Sequence, residues 1–217
     1  MSVKIGVFDS GVGGLSVANA IRRALPEDEV ILREDKEHVP YGLRQPEEIL
    51  GFILPIFQGM IDEGCQVIVV ACNTVSTTLI NELRHKFSIP LVAIEPMVKP
   101  AAEMTKSKVI AVCATPTTLA SPRYQWLKKT YAEGITVFEP DCGDWPAMIE
   151  NHKVDQQKIA DHINESLQAG ADVIVLACTH YHWIETEITA LAAAKATVLQ
   201  PEQAIIKQLK RVIAQLA

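Results

Sequence analysis

The chain has 217 residues, a formal charge of −6, 48% apolar side chains and no long run of Lys or Arg. It therefore lacks the electrostatic footprint of a nucleic-acid or anionic-membrane binder, and a small-molecule partner is the default expectation. The apolar fraction suffices for one sizeable core or two of about 100 residues each.

The opening MSVKIGVFDS runs straight into a strand-like segment. It lacks the charged and apolar regions of a signal peptide, and no apolar stretch nears the roughly 18 residues of a membrane span, so a cytoplasmic protein is expected. Short β-branched runs then alternate with helical patterns: VKIGVF, a helix ending at Leu25, EVILRE, a helix from Glu47 to Glu63, and QVIVVA with a helix after it. The rhythm continues with KVIAVCA, a helix from Tyr124 to Tyr131, ITVFEP, a helix from Asp155 to Gln168, and DVIVLA. This order predicts an α/β fold of parallel sheets flanked by helices.

GCQVIVVACNT from Gly64 and GADVIVLACTH from Gly170 match nearly position for position, 106 residues apart. The shared Gly, Ala-Cys and following Asn or Thr lie outside what any two apolar strands have in common, so the chain reads as one unit used twice. One residue less of offset lays VKIGVFDS over KVIAVCAT, with Ser10 on Thr115. Two pseudo-symmetric domains are expected, residues 1–95 with 203–217 and residues 96–202. Ligands of open parallel sheets sit beyond the carboxyl ends of the strands, so one site is expected in the cleft between the domains.

The five cysteines are odd in number and form no CxxC pair, so each is judged alone. Cys65, Cys113 and Cys142 read as small buried hydrophobes. Cys72 and Cys178 occupy equivalent positions, each just past a strand where a helix should begin. A helix N-terminus lowers a thiol's pKa, and both are expected to be partly thiolate near neutral pH. Opposed across a cleft, they suit removal of a proton from one face of a carbon and delivery to the other.

Asn73, Thr74, Thr179 and His180 follow the two cysteines, and Ser10, Thr115 and Thr118 end the first strands; such hydroxyls, amides and helix N-termini suit carboxylates. His180 is placed to polarise Cys178, and Asp9 to do similar work beside Cys72, although a capping Asp and a structural His are the plainer readings. The loop DSGVGG lacks the full GxGxxG spacing of a nucleotide site. Cys178 and His180 are two ligands without a third, so no metal is expected. Trp126, Trp145 and Trp183 read as core residues before interface ones.

FDSGVGGLSV, VPYG at Val39–Gly42, ACNT at Ala71, EP at Glu95, ATPTT at Ala114 and ACTHY at Ala177 together resemble the glutamate racemase branch of the aspartate/glutamate racemase superfamily. The resemblance runs over nearly the whole chain in order. It implies two α/β domains, no cofactor, and interconversion of L- and D-glutamate for peptidoglycan in the cytoplasm, with a homodimer as a common assembly. It implies that Cys72 and Cys178 are the acid/base thiols, Cys72 acting on D-glutamate and Cys178 on L-glutamate. By the same resemblance Asp9, His180 and Glu150 support them, and Asp9, Ser10, Pro40, Tyr41, Gly42, Asn73, Thr74, Thr118, Thr179 and His180 cradle the substrate along with the thiols. Aspartate or a related amino acid is the alternative substrate, and a gyrase-binding regulator is the alternative from another class.

The chain departs from the family pattern at Lys36, where Thr is common after Asp35, at His182, where Pro is common, and at Gln200-Pro201-Glu202, where Asp-Ser-Gly is common. Lys36 is expected to bear on substrate fit. The last departure is expected to bear on stability and assembly.

Overall fold

The computed structural model describes residues 2–216. In chain order it contains β1 (Lys4–Asp9), α1 (Gly14–Ala24), β2 (Glu29–Glu34), α2 (Pro46–Asp62), β3 (Val67–Val70), α3 (Asn73–Thr78), α4 (Ile80–Lys86) and β4 (Leu91–Ala93). There follow α5 (Val98–Met104), β5 (Val109–Cys113), α6 (Pro116–Ala120), α7 (Pro122–Tyr131), β6 (Thr136–Phe138), α8 (Trp145–Glu150) and α9 (Gln156–Gln168). The chain continues through β7 (Val173–Leu176), α10 (Glu185–Ala192), β8 (Thr197–Leu199) and α11 (Glu202–Leu216), with short 3-10 helices at Tyr41–Leu43 and Thr179–Ile184.

All strand pairs are parallel, and they make two four-stranded sheets of the same order, β2-β1-β3-β4 and β6-β5-β7-β8. Every residue of β3 and of β7 is buried, as a parallel strand covered by helices on both faces requires. Alternate side chains serve opposite faces. Ile68, Val70 and Phe8 meet Ile49, Ile53 and Phe57 of α2, while Val67, Val69 and Val7 meet Val17 and Ile21 of α1 and Ile205 and Leu209 of α11. In the second sheet Ile174 and Leu176 pack on Ile159 and Ile163 of α9, and Val173 and Val175 pack with Tyr124 and Leu127 of α7.

The repeated sequence is a repeated structure. Gly64 and Gly170 follow α2 and α9 at φ +88° and +92°, a left-handed turn that favours glycine. In both, the glycine amide and the next one bond back to the helix, Gly64 to Ile61 and Cys65 to Met60, Gly170 to Leu167 and Ala171 to Ser166. The chain then enters the central strand that carries the cysteine past its end.

The symmetry breaks after that strand. Cys72 precedes an α-helix as expected, but Cys178 precedes the 3-10 helix Thr179–Ile184, and the α-helix starts only at Glu185. Two of the three tryptophans also differ from the core reading. Trp145 is fully buried, whereas Trp126 and Trp183 are 45% and 52% exposed. Among the described residues no helix is long and apolar enough to cross a membrane.

The last helix is tied to the first sheet, far from it in sequence, through the fully buried Leu209. Leu209→Ala is expected to cost about 2–5 kcal/mol, the usual range for truncating a buried leucine. Urea unfolding followed by circular dichroism measures it, and an unchanged midpoint would mean that α11 contributes nothing to that core.

Candidate active site

The carboxyl ends of the two sheets face each other across a cleft, partly open to solvent, of about 330 Å³. From the first half it is lined by Ser10 past β1, Pro40, Tyr41 and Gly42 past β2, and Cys72, Asn73 and Thr74 past β3. The second half supplies Thr115 and Thr118 past β5, Pro146 of α8, and Ala177, Cys178, Thr179 and His180 past β7. All the expected site residues except Asp9 and Glu150 therefore share one cavity.

Asp9 and Glu150 stand behind its wall, each holding a group of the other half. Asp9 is fully buried and accepts from Thr179 Oγ1 at 3.0 and 3.2 Å, so it is bonded to the Cys178 side of the cleft while its charge also acts on Cys72. Glu150 Oε1 lies 2.7 Å from His180 Nε2 and accepts the amide of Val12 at 2.9 Å. His180 Nδ1 in turn lies 3.6 Å from Cys178 Sγ, so Glu150, His180 and Cys178 form one chain of polar contacts.

On the opposite side Cys72 Sγ donates to Ser10 Oγ at 3.5 Å. The expectation of a partly ionised thiol fails here. Burial pushes Cys72 up to about 12, with the charge of Asp9 adding to it and the bonds from Ser10 and Val75 too weak to compensate. The six-residue α3 that follows does not offset this desolvation.

Burial also dominates Asp9, held at about 6 although His180 and Thr179 pull it down. Burial alone would depress His180, but its contacts with Cys178 and Glu150 and the charge of Asp9 outweigh it and raise the imidazole to about 11. Burial would likewise raise Glu150, yet the bonds from His180 and Val12 hold it below the usual carboxylate range. The surroundings of His180 thus favour its protonated form, with one ring nitrogen toward a carboxylate and the other toward Cys178 sulfur.

The polar lining is uneven. Thr74, Thr115 and Thr118 place three hydroxyls within 3.0–3.5 Å of one another, contributed by both halves. Asn73 is buried, and among the described residues neither its Oδ1 nor its Nδ2 has a hydrogen-bond partner. A buried amide costs free energy unless paired, so this one is built for a ligand.

Sequence reasoning did not single out Pro146 or Ala177 as lining residues, nor Asp35 as a support. Asp35 is buried and accepts from Tyr41 Oη at 2.5 Å, with His38 Nδ1 at 2.8 Å, fixing the ring of Tyr41 at the cavity edge. The Asp-x-x-His spacing before Pro-Tyr was the available signal. Lys36 pairs with Glu34 at 2.9 Å and its charge helps hold Glu150 down, while neither it nor residues 200–202 line the cavity. Among the described residues no group of three or more His, Cys, Asp or Glu is placed to hold a metal ion.

The sequence and the fold that carry these two thiols are shared with known proteins. A family model described as Asp/Glu/Hydantoin racemase matches residues 6–209. Glutamate racemase of Ralstonia pickettii is 35% identical over 97% of this chain and 76% of its own length. Escherichia coli glutamate racemase, solved with L-glutamate and the activator UDP-MurNAc-Ala, superposes with a TM-score of 0.88 at 27% identity, covering 97% of this chain and 82% of that one. The Francisella tularensis enzyme, solved with D-glutamate, gives 0.82 at 25% identity over 99% and 81%. The chain belongs to the Asp/Glu/hydantoin racemase family and, within it, to the glutamate racemases.

Proposed function

We propose that this chain interconverts L- and D-glutamate through Cys72 and Cys178, supplying D-glutamate for peptidoglycan. The observation that carries the reading is the placement of the two thiols on equivalent strand ends of the two halves, around one cavity whose buried Asn73 lacks a partner among the described residues. We take residues 1–95 with 203–217 and residues 96–202 as the two units that close on substrate, in a cytoplasmic homodimer as the family resemblance implies.

The proton at Cα of an amino acid is very weakly acidic, so the site must stabilise the carbanion-like transition state more than it helps either thiol alone. Asn73, Ser10, Thr179 and nearby backbone amides surround the place for the α-carboxylate, where charge grows as the proton leaves. The hydroxyls of Thr74, Thr115 and Thr118 suit the second carboxylate of a dicarboxylic amino acid.

At rest Cys72 carries its proton, because burial holds it at about 12. The resting site is thus ready to deliver a proton from the Cys72 face. Cys178 takes the α-proton from the other face, with the His180 ring beside its sulfur and Glu150 beyond. One proton leaves the substrate for Cys178 as another arrives from Cys72, and the reverse reaction exchanges the roles.

Cys72→Ala and Cys178→Ala are each expected to lose racemisation by about 10³-fold or more, within the range of acid/base contributions, while keeping a cooperative melt. Wild-type turnover in either variant would sink the two-thiol scheme. In D₂O, product from either enantiomer should carry deuterium at Cα from the first turnovers, and unlabelled product would exclude this chemistry. Running D-Glu and D-Asp side by side tests the substrate assignment, with glutamate expected to be the faster.

Asp9 yields a separate expectation. Its carboxyl is raised by folding, so the native state binds more protons than the unfolded one between about pH 4 and 6, and stability falls as pH rises through that window. Asp9→Asn should remove that fall and be more stable than wild type at pH 7 by up to about 3 kcal/mol, given 1.36 kcal/mol per pKa unit. Denaturant titrations of both proteins at pH 4 and pH 7 measure the difference, and parallel pH profiles would contradict it.

A further inference from the structure

The turn between β1 and α1 is rich in glycine, with Gly11, Gly13 and Gly14 around Val12. It sits directly against the other half. A Cβ on Gly11 would fall 1.9 Å from Glu150 Oε1, and one on Gly13 would fall 2.5 Å from Thr179 Oγ1 and 2.7 Å from the backbone nitrogen of His180. Glycine allows this approach but leaves the backbone without side chains to fix its conformation. Yet the turn has an exact task, because the amide of Val12 is one of two groups that hold Glu150 Oε1, the other being His180.

The fixing groups come from the 3-10 helix Thr179–Ile184. Side chains three apart in a 3-10 helix eclipse one another, so His180 shares a face with Trp183, and Thr179 with His182. Trp183 Nε1 donates to the carbonyl of Val12 at 3.1 Å, on the peptide plane next to the one whose amide meets Glu150. Ser16 Oγ gives its only proton to the carbonyl of Gly13 at 2.9 Å and therefore accepts from His182 Nδ1–H at 3.1 Å. Among the described residues His182 Nε2 is buried without a partner, so the bond at Nδ1 orients the ring.

We propose that Trp183 and His182 are positioning residues that clasp the Gly11–Ser16 turn across the cleft and thereby present the Val12 amide to Glu150, which orients His180 beside Cys178. The inference rests on the racemase reading of the site. Trp183 acts through Val12 and Glu150, touching neither thiol nor the cavity, so its effect belongs to proton transfer more than to substrate binding.

Trp183→Phe keeps the half-exposed apolar ring and removes only the N–H. It should lower kcat by about 3- to 10-fold, the size of one lost hydrogen bond, with KM within about twofold and an unchanged melting temperature. His182→Leu should act in the same direction. The deciding measurement is a double-mutant cycle with Glu150→Ala. With no carboxylate to receive the Val12 amide, adding Trp183→Phe should change kcat by less than about twofold, because the two residues act in series. Multiplicative losses, a loss confined to KM, or a Trp183→Phe enzyme as fast as wild type would each overturn the clasp. Any of these outcomes requires a wild-type enzyme that racemises glutamate, so failure of the clasp is distinguishable from failure of the reading beneath it.

Discussion

Removing water from ionisable groups where the two sheets meet is the constraint on which the rest of this structure depends. Asp9, Cys72 and His180 are each at most 4% exposed, and none keeps its solution behaviour there. Burial disfavours every charged form, so ionisation survives only where a partner offsets it. His180 has such partners in Glu150 and Cys178, which favour its charged form. Cys72 has a hydroxyl and a neighbouring acid, and stays a thiol. The two halves supply near-identical strands and cysteines, and what surrounds each sulfur makes them chemically unequal.

That inequality arises from where the duplication stops. Up to the cysteine, each unit is the same sequence of helix, left-handed glycine, buried strand and thiol. Beyond Cys72 the chain continues as an α-helix whose Asn73 and Thr74 face the cavity, whereas beyond Cys178 a 3-10 helix places His180 against the sulfur. The substrate therefore meets two thiols in unlike polar surroundings, a hydroxyl beside Cys72 and an imidazole beside Cys178.

Much of this was legible in the sequence because parallel strands buried on both faces must be continuous apolar runs, and two such runs ended in the same Ala-Cys. The cradle residues followed from family motifs in the right order. The ionisation of Cys72 was not legible, since a helix start predicts one direction and the depth of burial, invisible in one dimension, decides the other. Nor was the bond between Asp9 and Thr179, 170 residues apart in the chain, or the exposure of Trp126 and Trp183, which composition alone assigns to the core. The three-residue strands β4 and β8 lie at sheet edges and are too short to show a period.

The cleft sets a limit on its own strength. Thr179 to Asp9, Glu150 to Val12, Trp183 to Val12, and Thr117 to the carbonyl of Gly42 all cross between the halves, the last at 2.7 Å. Any opening of the cleft exchanges some of these bonds for water, and lid opening is often the slow step of such enzymes. Asp9 sits on this seam fully buried, and burial raises its carboxyl, so the bond it takes from Thr179 only partly offsets the cost of keeping it from water.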